Sequence, residues 1–401
     1  MAPNNGKSSL SLPKVLFHNP AAFVGGAEVG LLNCLAVLQH LIDPIVILPG
    51  DGPLTKELRQ RKIKVEIVEL PKSLARVSRL GNKFLSLLRG APALPIYLKQ
   101  LQEVLAKHEP ALLYSNGLKS HFLLALLAKW NGLPLLCHVR DVLRAVPGLH
   151  YLLHNVAQVV VTNSKATLDA LTVPSAKAHI IPNAIDLATW EQEAQKEPPA
   201  IVARTKAKGQ SLIVSAGKLV PLKGFAYLIK AIAKLQKEKF NLHLAIAGSE
   251  DYATQEGHEE ELQELIKELN LQSSVTLLGN VSPLAPLLRN ADLFVLASQS
   301  EGFGRVVAEA MASHCPVIAS DVGGLRELVS LDGERGLLFE VGNVQELSKK
   351  MASLLADDER RKALAINGRA YVERELTFGK LKDRLISALA QLLPSLDRHN
   401  K

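Results

Sequence analysis

Short apolar segments typical of buried strands alternate along this chain with longer helical patterns, in two separate series. The first series of predicted strands is Lys14–His18, Pro44–Leu48, Lys64–Leu70, Ala111–Tyr114, Leu133–His138, Gln158–Thr162 and His179–Ile181. The second is Ser211–Ala216, Asn241–Ala247, Ser274–Leu278, Asp292–Leu296 and Pro316–Ser320. Strands that alternate with helices in this way form a parallel sheet with helices on both faces. We therefore predict an α/β protein with two doubly wound, Rossmann-like domains facing each other across a deep cleft.

Changes in composition set the predicted domain boundaries. Residues 1–13 are polar and lack the apolar core of a secretory signal, and we predict that they form a disordered lead. The first domain is predicted at 14–186, a polar and proline-containing linker at 187–209, and the second domain at 210–376. Residues 377–401 contain a final helix, Phe378–Leu393, which we expect to pack back on the first domain.

The net charge of +8 is divided unequally between the two halves. Residues 1–185 carry 20 Lys and Arg against 10 Asp and Glu, whereas the remainder carries 27 against 29. The stretch Lys72–Lys99 has six basic residues, no acidic one, and apolar residues at helical spacing. Such a helix can lie on an anionic membrane surface, or it can be an ordinary amphipathic helix with its basic face in water.

The apolar runs are shorter than the roughly 20 residues that a membrane-spanning helix needs. Cys34, Cys137 and Cys315 lie far apart without metal-ligand spacing, so we expect buried, reduced thiols. These features predict a cytoplasmic protein, with peripheral attachment to the inner face of the membrane as a further hypothesis.

Glu301 and Glu309 flank a short turn that contains Gly302 and Gly304. The turn follows a predicted strand and precedes a helical pattern, so the free N–H groups of a helix start face the carboxyl end of the sheet, where open α/β sheets bind anions. We expect Glu309 to point back toward the same carboxyl end of the sheet. A carboxylate there can accept hydrogen bonds from sugar hydroxyls. The pattern predicts a site for an anionic, sugar-containing ligand.

Lys218 and Lys223 follow the first predicted strand of the second domain, before the next helix begins. Two cations at the mouth of a nucleotide crevice suit a diphosphate, whose negative charge grows as its bond to a sugar breaks. The segment lacks the Gly-Lys-Ser/Thr ending of a Walker A loop, and Gly25-Gly26 does not begin a Gly-x-Gly-x-x-Gly fingerprint. The sequence has no Asp-x-Asp motif, so we predict no essential metal and no cofactor.

Together these segments resemble the retaining glycosyltransferases of family 4, which have the GT-B fold. The matching pieces are Gly25–Glu28, Val161–Ser164, Ile181–Asp186, Lys218–Gly224, Ala245–Gly248, Val275–Gly279, Glu301–Glu309, Pro316–Ile318 and Gly323-Gly324. The resemblance implies a UDP- or GDP-linked sugar held mainly by the second domain. It also implies transfer of a hexosyl group, with retention, to a hydroxyl acceptor. Because the first domain is basic and carries the stretch Lys72–Lys99, we predict a glycan or lipid-linked acceptor in cell-surface polysaccharide or glycolipid synthesis.

The resemblance assigns roles to residues of the second domain. Glu301 would contact hydroxyls of the donor sugar, and Glu309 would bind the ribose. Lys223 and Lys218 would bind the diphosphate, together with the backbone amides of Gly304, Arg305 and Val306. The family usually has Arg where this chain has Lys218, which replaces a planar, two-pronged donor with a point charge of the same sign.

In the first domain, the resemblance implies that Gly25 and Gly26 let the backbone approach the phosphates. Family members commonly carry a His-Asp pair at the end of a first-domain strand. The segment here is His138-Val139-Arg140-Asp141, which leaves open whether His138 or Arg140 meets the donor sugar, although Arg140 aligns better because Asp141 follows it. Asn116 and Lys119 are candidates for the acceptor side, and a plain helix start explains them equally well.

Three other functions are compatible with parts of this sequence: sugar-nucleotide epimerisation, sugar phosphorolysis and nucleic-acid binding. Nucleotide-sugar epimerases and sugar phosphorylases share the fold, but a phosphorylase needs a pyridoxal-binding lysine environment that we do not identify. A pI near 9.2 suggests nucleic-acid binding. Aromatic residues make up only 4% of the chain, and it lacks aromatic-rich strand motifs, zinc spacing and a recognition-helix pattern, so we predict no nucleic-acid partner.

Overall fold

The computed structural model of the protein describes residues 12–71, 93–143, 146–250 and 257–399. Most of the lead at 1–13 and most of the basic stretch Lys72–Lys99 lie outside these described residues. In the described part of the chain, no helix combines the length and the apolar character needed to cross a bilayer.

The first sheet has seven parallel strands in the order β3-β2-β1-β4-β5-β6-β7. They are β1 (Lys14–His18), β2 (Asp43–Leu48), β3 (Lys64–Ile67), β4 (Leu112–Asn116), β5 (Leu135–Val139), β6 (Val159–Thr162) and β7 (Ala178–Ile180). The central strands are buried along almost their whole length, as expected of a sheet with helices on both faces.

The second sheet has six parallel strands in the order β10-β9-β8-β11-β12-β13. They are β8 (Ser211–Ala216), β9 (Leu242–Ala247), β10 (Val275–Leu277), β11 (Leu293–Leu296), β12 (Val317–Ser320) and β13 (Leu337–Phe339). Every strand predicted from the sequence is present, which confirms two doubly wound domains. The edge strand β13 was not predicted from the sequence.

The helices of the first domain are α1 (Gly26–Leu38), α2 (Pro53–Gln60), α3 (Leu94–His108), α4 (Leu118–Asn131), α5 (Leu149–Asn155) and α6 (Lys165–Asp169). Those that follow are α7 (Leu187–Ala194), α8 (Ala200–Ala207), α9 (Phe225–Lys237), α10 (His258–Glu268), α11 (Ala285–Arg289), α12 (Arg305–Ala312), α13 (Leu325–Val329), α14 (Val344–Leu355), α15 (Asp358–Glu375) and α16 (Phe378–Ala390). Short 3₁₀ turns cover Ser175–Lys177, Pro221–Lys223 and Pro394–His399. Helix α1 ends at Leu38.

Each sheet has an apolar core on both faces. The segment predicted as a linker, 187–209, contains helices α7 and α8, and Ile201 and Val202 of α8 are buried in a core of the second sheet. Most of this segment is therefore packed structure, because apolar side chains among its polar residues find a sheet face to cover.

The chain crosses between the two sheets twice, and the crossings lie side by side. The Ile185 N–H donates to the Leu376 carbonyl at 2.7 Å, and Ile185 forms a bridge with Thr377. After the second crossing, α16 packs on α1, with Leu381, Leu385 and other apolar side chains in a core of the first sheet. The paired crossings therefore form the covalent hinge between the domains.

Candidate functional site

The candidate site lies where the strand order of each sheet reverses. In the second sheet the reversal falls between β8 and β11, and Lys218 and Lys223 follow β8 while Glu301 follows β11. In the first sheet it falls between β1 and β4, where Asn19 follows β1 and Asn116 ends β4. Parallel α/β sheets bind ligands in the crevice at this point, beyond the carboxyl ends of the strands.

Lys223 and Glu301 are in direct contact. The Lys223 Nζ lies 2.5 Å from Oε1 of Glu301, and the Ser298 hydroxyl donates to the same oxygen at 2.9 Å. Only 23% of the lysine side chain and 12% of the glutamate side chain are exposed. A partly buried cation and a carboxylate thus meet at the carboxyl end of the second sheet.

The turn after Glu301 is held by a glycine pair from the next strand–helix connection. The Gly324 N–H donates to the Glu301 carbonyl at 3.0 Å, and a Cβ on Gly323 would overlap that carbonyl oxygen. Gly304, with φ of +89°, directly precedes α12. The free amides of the first turn of α12 therefore start beside Glu301, as the sequence predicted.

Glu309 lies on α12 and pairs with Arg305, whose Nη1 is 2.5 Å from its Oε1. The Glu309 side chain is almost fully buried, and burial raises the pKa of its carboxyl group. The charge of Arg305 opposes this rise, and the negative charge of Glu193 adds to it. Val306, the next residue of this turn, is half-buried.

Arg140 is buried in the floor of the first domain. Its Nε donates to Oδ1 of Asn116 at 2.7 Å, and its Nη1 donates to Oδ1 of Asn183 at 2.9 Å. A Cβ on Gly30 of α1 would overlap the guanidinium group, so the glycine makes room for it. The guanidinium of Arg140 thus joins the end of β4 to the segment before the hinge.

His138 lies beside Arg140 and is also buried. Its Nδ1 is 2.5 Å from the Tyr114 hydroxyl, whereas its Nε2 has no hydrogen-bond partner among the described residues. Burial holds the pKa of His138 well below its usual range, and the charge of Arg140 and the neighbouring His121 lower it further. His138 is therefore neutral near pH 7, with one buried ring nitrogen left without a hydrogen-bond partner among the described residues.

The two acceptor-side candidates differ in setting. Asn116 is buried at the end of β4, where its Nδ2 donates to Oδ1 of Asn19 at 2.7 Å. Lys119 is half-buried in the first turn of α4. Asn116 therefore belongs to the hydrogen-bonded floor that also contains Arg140.

The glycine loop of the first domain begins α1. The Gly25 N–H donates to Oε2 of Glu28 at 3.1 Å, and Gly26 is the first residue of the helix. Phe23, two residues earlier, lies across the cleft from Lys218, whose Nζ is 4.4 Å from the ring centroid. This cation–π contact brings Lys218, which the sequence predicts to bind a diphosphate, against the first domain.

Sequence reasoning missed Phe23, and it assigned no role to Asn163. The Asn163 Nδ2 donates to the Arg140 carbonyl at 2.8 Å, and Gly302 lies so close to that carbonyl that a Cβ would overlap it. The sequence signal for Phe23 was its place just before the Gly25–Glu28 motif, and that for Asn163 was its place within the Val161–Ser164 motif. Among the described residues there is no group of three or more His, Cys, Asp or Glu that could hold a metal ion. The absence of an essential metal stays a prediction.

Family profiles match both halves of the chain. The profile "Glycosyltransferase Family 4" matches residues 24–189, and the profile "Glycosyl transferases group 1" matches residues 198–371.

Curated relatives match about half of the chain. The N-acetylgalactosamine-N,N'-diacetylbacillosaminyl-diphospho-undecaprenol 4-alpha-N-acetylgalactosaminyltransferase of Campylobacter jejuni is 37% identical over 218 residues, which cover 53% of this chain and 54% of that protein. The D-inositol 3-phosphate glycosyltransferase of Xylanimonas cellulosilytica is 32% identical, over 49% of this chain and 48% of that protein. The chain spans about half the length of the curated relatives it matches.

Solved structures match along nearly the whole chain. Anabaena Alr3699/HepE in complex with UDP has a TM-score of 0.78 at 24% identity, covering 94% of this chain and 100% of that one. Sucrose-phosphate synthase from Thermosynechococcus elongatus has a TM-score of 0.77 at 19% identity, covering 96% and 100%. At these identities the likeness establishes the fold.

Proposed function

The chain belongs to the group 1 glycosyltransferases with the GT-B fold. We propose that it moves a hexosyl group from a nucleotide-diphosphate sugar to a hydroxyl of a glycan or lipid-linked acceptor. We propose further that the transfer retains the configuration of the anomeric carbon. One observation carries the proposal. Lys223, Glu301 and the start of α12 meet at the reversal point of the second sheet, opposite the first domain. This arrangement suits a diphosphate joined to a sugar.

The proposed chemistry follows from the charges. The ammonium groups of Lys223 and Lys218 and the amides of Gly304, Arg305 and Val306 bind the diphosphate, which gains negative charge as its bond to the sugar breaks. Groups that are already in position when this charge develops lower the barrier. Glu301, released from Lys223 by the phosphate, is then available to the hydroxyls of the donor sugar.

Retention requires the acceptor hydroxyl to attack the face from which the diphosphate leaves. Because the leaving group is stabilised by fixed charges, no covalent enzyme intermediate is demanded. Of the two first-domain candidates, His138 has an unpartnered Nε2 for a sugar hydroxyl, whereas the Arg140 guanidinium is engaged by Asn116 and Asn183. We therefore assign the sugar contact to His138 and a positioning role to Arg140.

UDP is the first nucleotide to test. Structures of Anabaena Alr3699/HepE, similar in fold to this chain, contain UDP and UDP-glucose. The names of relatives include an N-acetylgalactosaminyltransferase and a mannosyltransferase, so the sugar must be measured.

A thermal-shift experiment tests the donor site. A ligand that binds only the folded protein at 100 times its dissociation constant adds about 2.7 kcal/mol of stability. We expect UDP or GDP to raise the Tm by several degrees, and the shift to disappear in Glu309→Ala. Lys230→Ala, an exposed lysine on α9, is the matched control and should keep the shift. If neither nucleotide nor its sugars change the Tm of the wild type, the proposed function is wrong.

A lipid-linked acceptor would bring the enzyme to the inner face of the membrane. The support is the basic first half of the chain and the stretch Lys72–Lys99. The name of the Campylobacter jejuni relative includes diphospho-undecaprenol, a lipid carrier.

Liposome flotation tests this membrane hypothesis. We expect the protein to float with vesicles that contain anionic lipid and to stay behind with neutral ones, because each basic residue near an anionic surface contributes about 1 kcal/mol. Reversing three charges in the variant Arg76→Glu, Arg79→Glu and Lys83→Glu should abolish flotation. Equal failure to bind both kinds of vesicle would contradict the membrane hypothesis and leave the donor site untouched.

A further inference from the structure

The two domains touch at a seam, which we define as the turn Asn163–Thr167 of the first domain with Gly302 and Glu327 of the second. Glu327 lies on α13 and reaches the start of α6. The Lys165 N–H donates to its Oε2 at 2.9 Å, and the Ala166 N–H donates to its Oε1 at 2.8 Å. Both oxygens of the Glu327 carboxylate, in the second domain, therefore accept hydrogen bonds from the first domain.

These two amides lack acceptors inside their own helix. They belong to the first turn of α6, where N–H groups have no partner four residues earlier. A carboxylate at this position makes charge-assisted hydrogen bonds and faces the positive end of the helix dipole. Both bonds described for the Glu327 carboxylate cross between the domains, so opening the cleft at the seam breaks both.

The seam also holds the turn that carries Glu301. The Thr167 hydroxyl oxygen lies 3.3 Å from the Gly302 carbonyl oxygen and 3.0 Å from Oδ1 of Asn163, so its hydrogen is shared between these two acceptors. On the other side, the glycine pair before α13 packs on the Glu301 carbonyl, with the Gly324 N–H donating to it at 3.0 Å. The Glu301 turn therefore lies between the first domain and the connection that leads to Glu327.

We propose that Glu327 is an interdomain latch, a positioning residue that holds the cleft closed and the Glu301 turn in place against the first domain. Its effect on turnover rests on the proposed function, whereas its effect on domain separation does not.

The latch also explains the Val161–Ser164 motif. The Ser164 hydroxyl caps α6 by accepting from the Thr167 N–H at 3.0 Å, which presents the two free amides to Glu327.

Two substitutions remove the latch from opposite sides. Glu327→Gln keeps the size of the side chain but removes its charge and turns one acceptor into a donor. Lys165→Pro removes one amide donor at the first position of α6, where proline is tolerated. Ser164 before it has an extended backbone with φ −158° and ψ 162°, as a residue before proline requires. Glu264→Gln, on the exposed face of α10 in the second domain, is the matched control.

The distance between the domains is measured by pulsed electron spin resonance. Labels are placed at exposed positions on each domain with Lys129→Cys and Lys267→Cys. The native cysteines, all three buried, are protected from labelling. We expect a single short distance in the labelled parent and in Glu264→Gln, and a broader, longer distribution in Glu327→Gln and Lys165→Pro. Unchanged distributions in both seam variants would overturn the latch.

Turnover supplies the second readout. If only the closed state is competent, kcat/KM for the donor sugar falls in proportion to the closed fraction. We expect a fall of about tenfold in each seam variant, little further fall when the two are combined, and no change in Glu264→Gln. If the losses of kcat/KM in the two single variants add up in the double variant, Glu327 and the Lys165 N–H do not act through the same contact. If the wild type transfers no sugar, the proposed function fails, and the distance measurement still decides the latch.

Discussion

Replacing Lys223 with alanine is expected to lower kcat/KM for the donor by about a hundredfold or more, the usual effect of removing one group that stabilises developing negative charge. The protein should stay folded, because the lysine is partly exposed and its ion-pair partner Glu301 keeps the hydrogen bond from Ser298. The measurement is steady-state kinetics with the donor identified by thermal shift, alongside the Tm of each variant.

Two comparisons separate this charge effect from general damage. Lys230→Ala removes an exposed lysine from α9, just after the same loop, and should leave kcat/KM unchanged. Glu309→Ala should also leave a folded protein but lose donor binding, because it removes the proposed ribose ligand. Full turnover in both Lys223→Ala and Glu309→Ala would show that the reaction takes place elsewhere.

Gly224→Ala is expected to destabilise the fold by about 3 kcal/mol or more and to abolish activity. Gly224 has φ of +67°, a left-handed conformation that costs other residues about 1–2 kcal/mol. In addition, a Cβ there would overlap the carbonyl oxygen of Ala297, the residue directly after β11. Because Ala297 directly follows the buried strand β11, the loop that carries Lys223 is the part that would move, away from Glu301.

Gly209→Ala is the matched control for the conformational part of this cost. Gly209 has a similar φ of +60°, but a Cβ there would meet nothing within 4 Å. We expect a loss of about 1 kcal/mol and normal activity in this variant. Chemical denaturation gives both losses. Equal values for the two glycines would mean that the close approach of Gly224 to Ala297 does not matter.

The alternation of strands and helices could be predicted because apolar runs and helical periodicity are local patterns in the sequence. Buried strands such as β8 are continuous apolar runs, and their ends were predicted to within three residues. The turn from Glu301 to Glu309 was also predictable, because a strand end, two glycines and a helix start follow one another within a few residues. The two helices inside 187–209 were not predicted, because short, polar helices have a weak periodicity of apolar residues.

The contacts between distant segments could not be predicted in this way. Lys223 and Glu301 are 78 residues apart and meet only because β8 and β11 are neighbours in the sheet. The sequence left open whether His138 or Arg140 meets the donor sugar, and it gave no sign that the Arg140 guanidinium contacts Asn116 and Asn183.

The residues alone thus specify the two parallel sheets and the local motifs at their strand ends, since burial and backbone preference act over a few neighbouring positions. The pairing of Phe23 with Lys218 and of Glu327 with α6 depends on how one folded domain is oriented against the other. That orientation comes from the sum of many contacts across the cleft and the hinge, and no local periodicity encodes it.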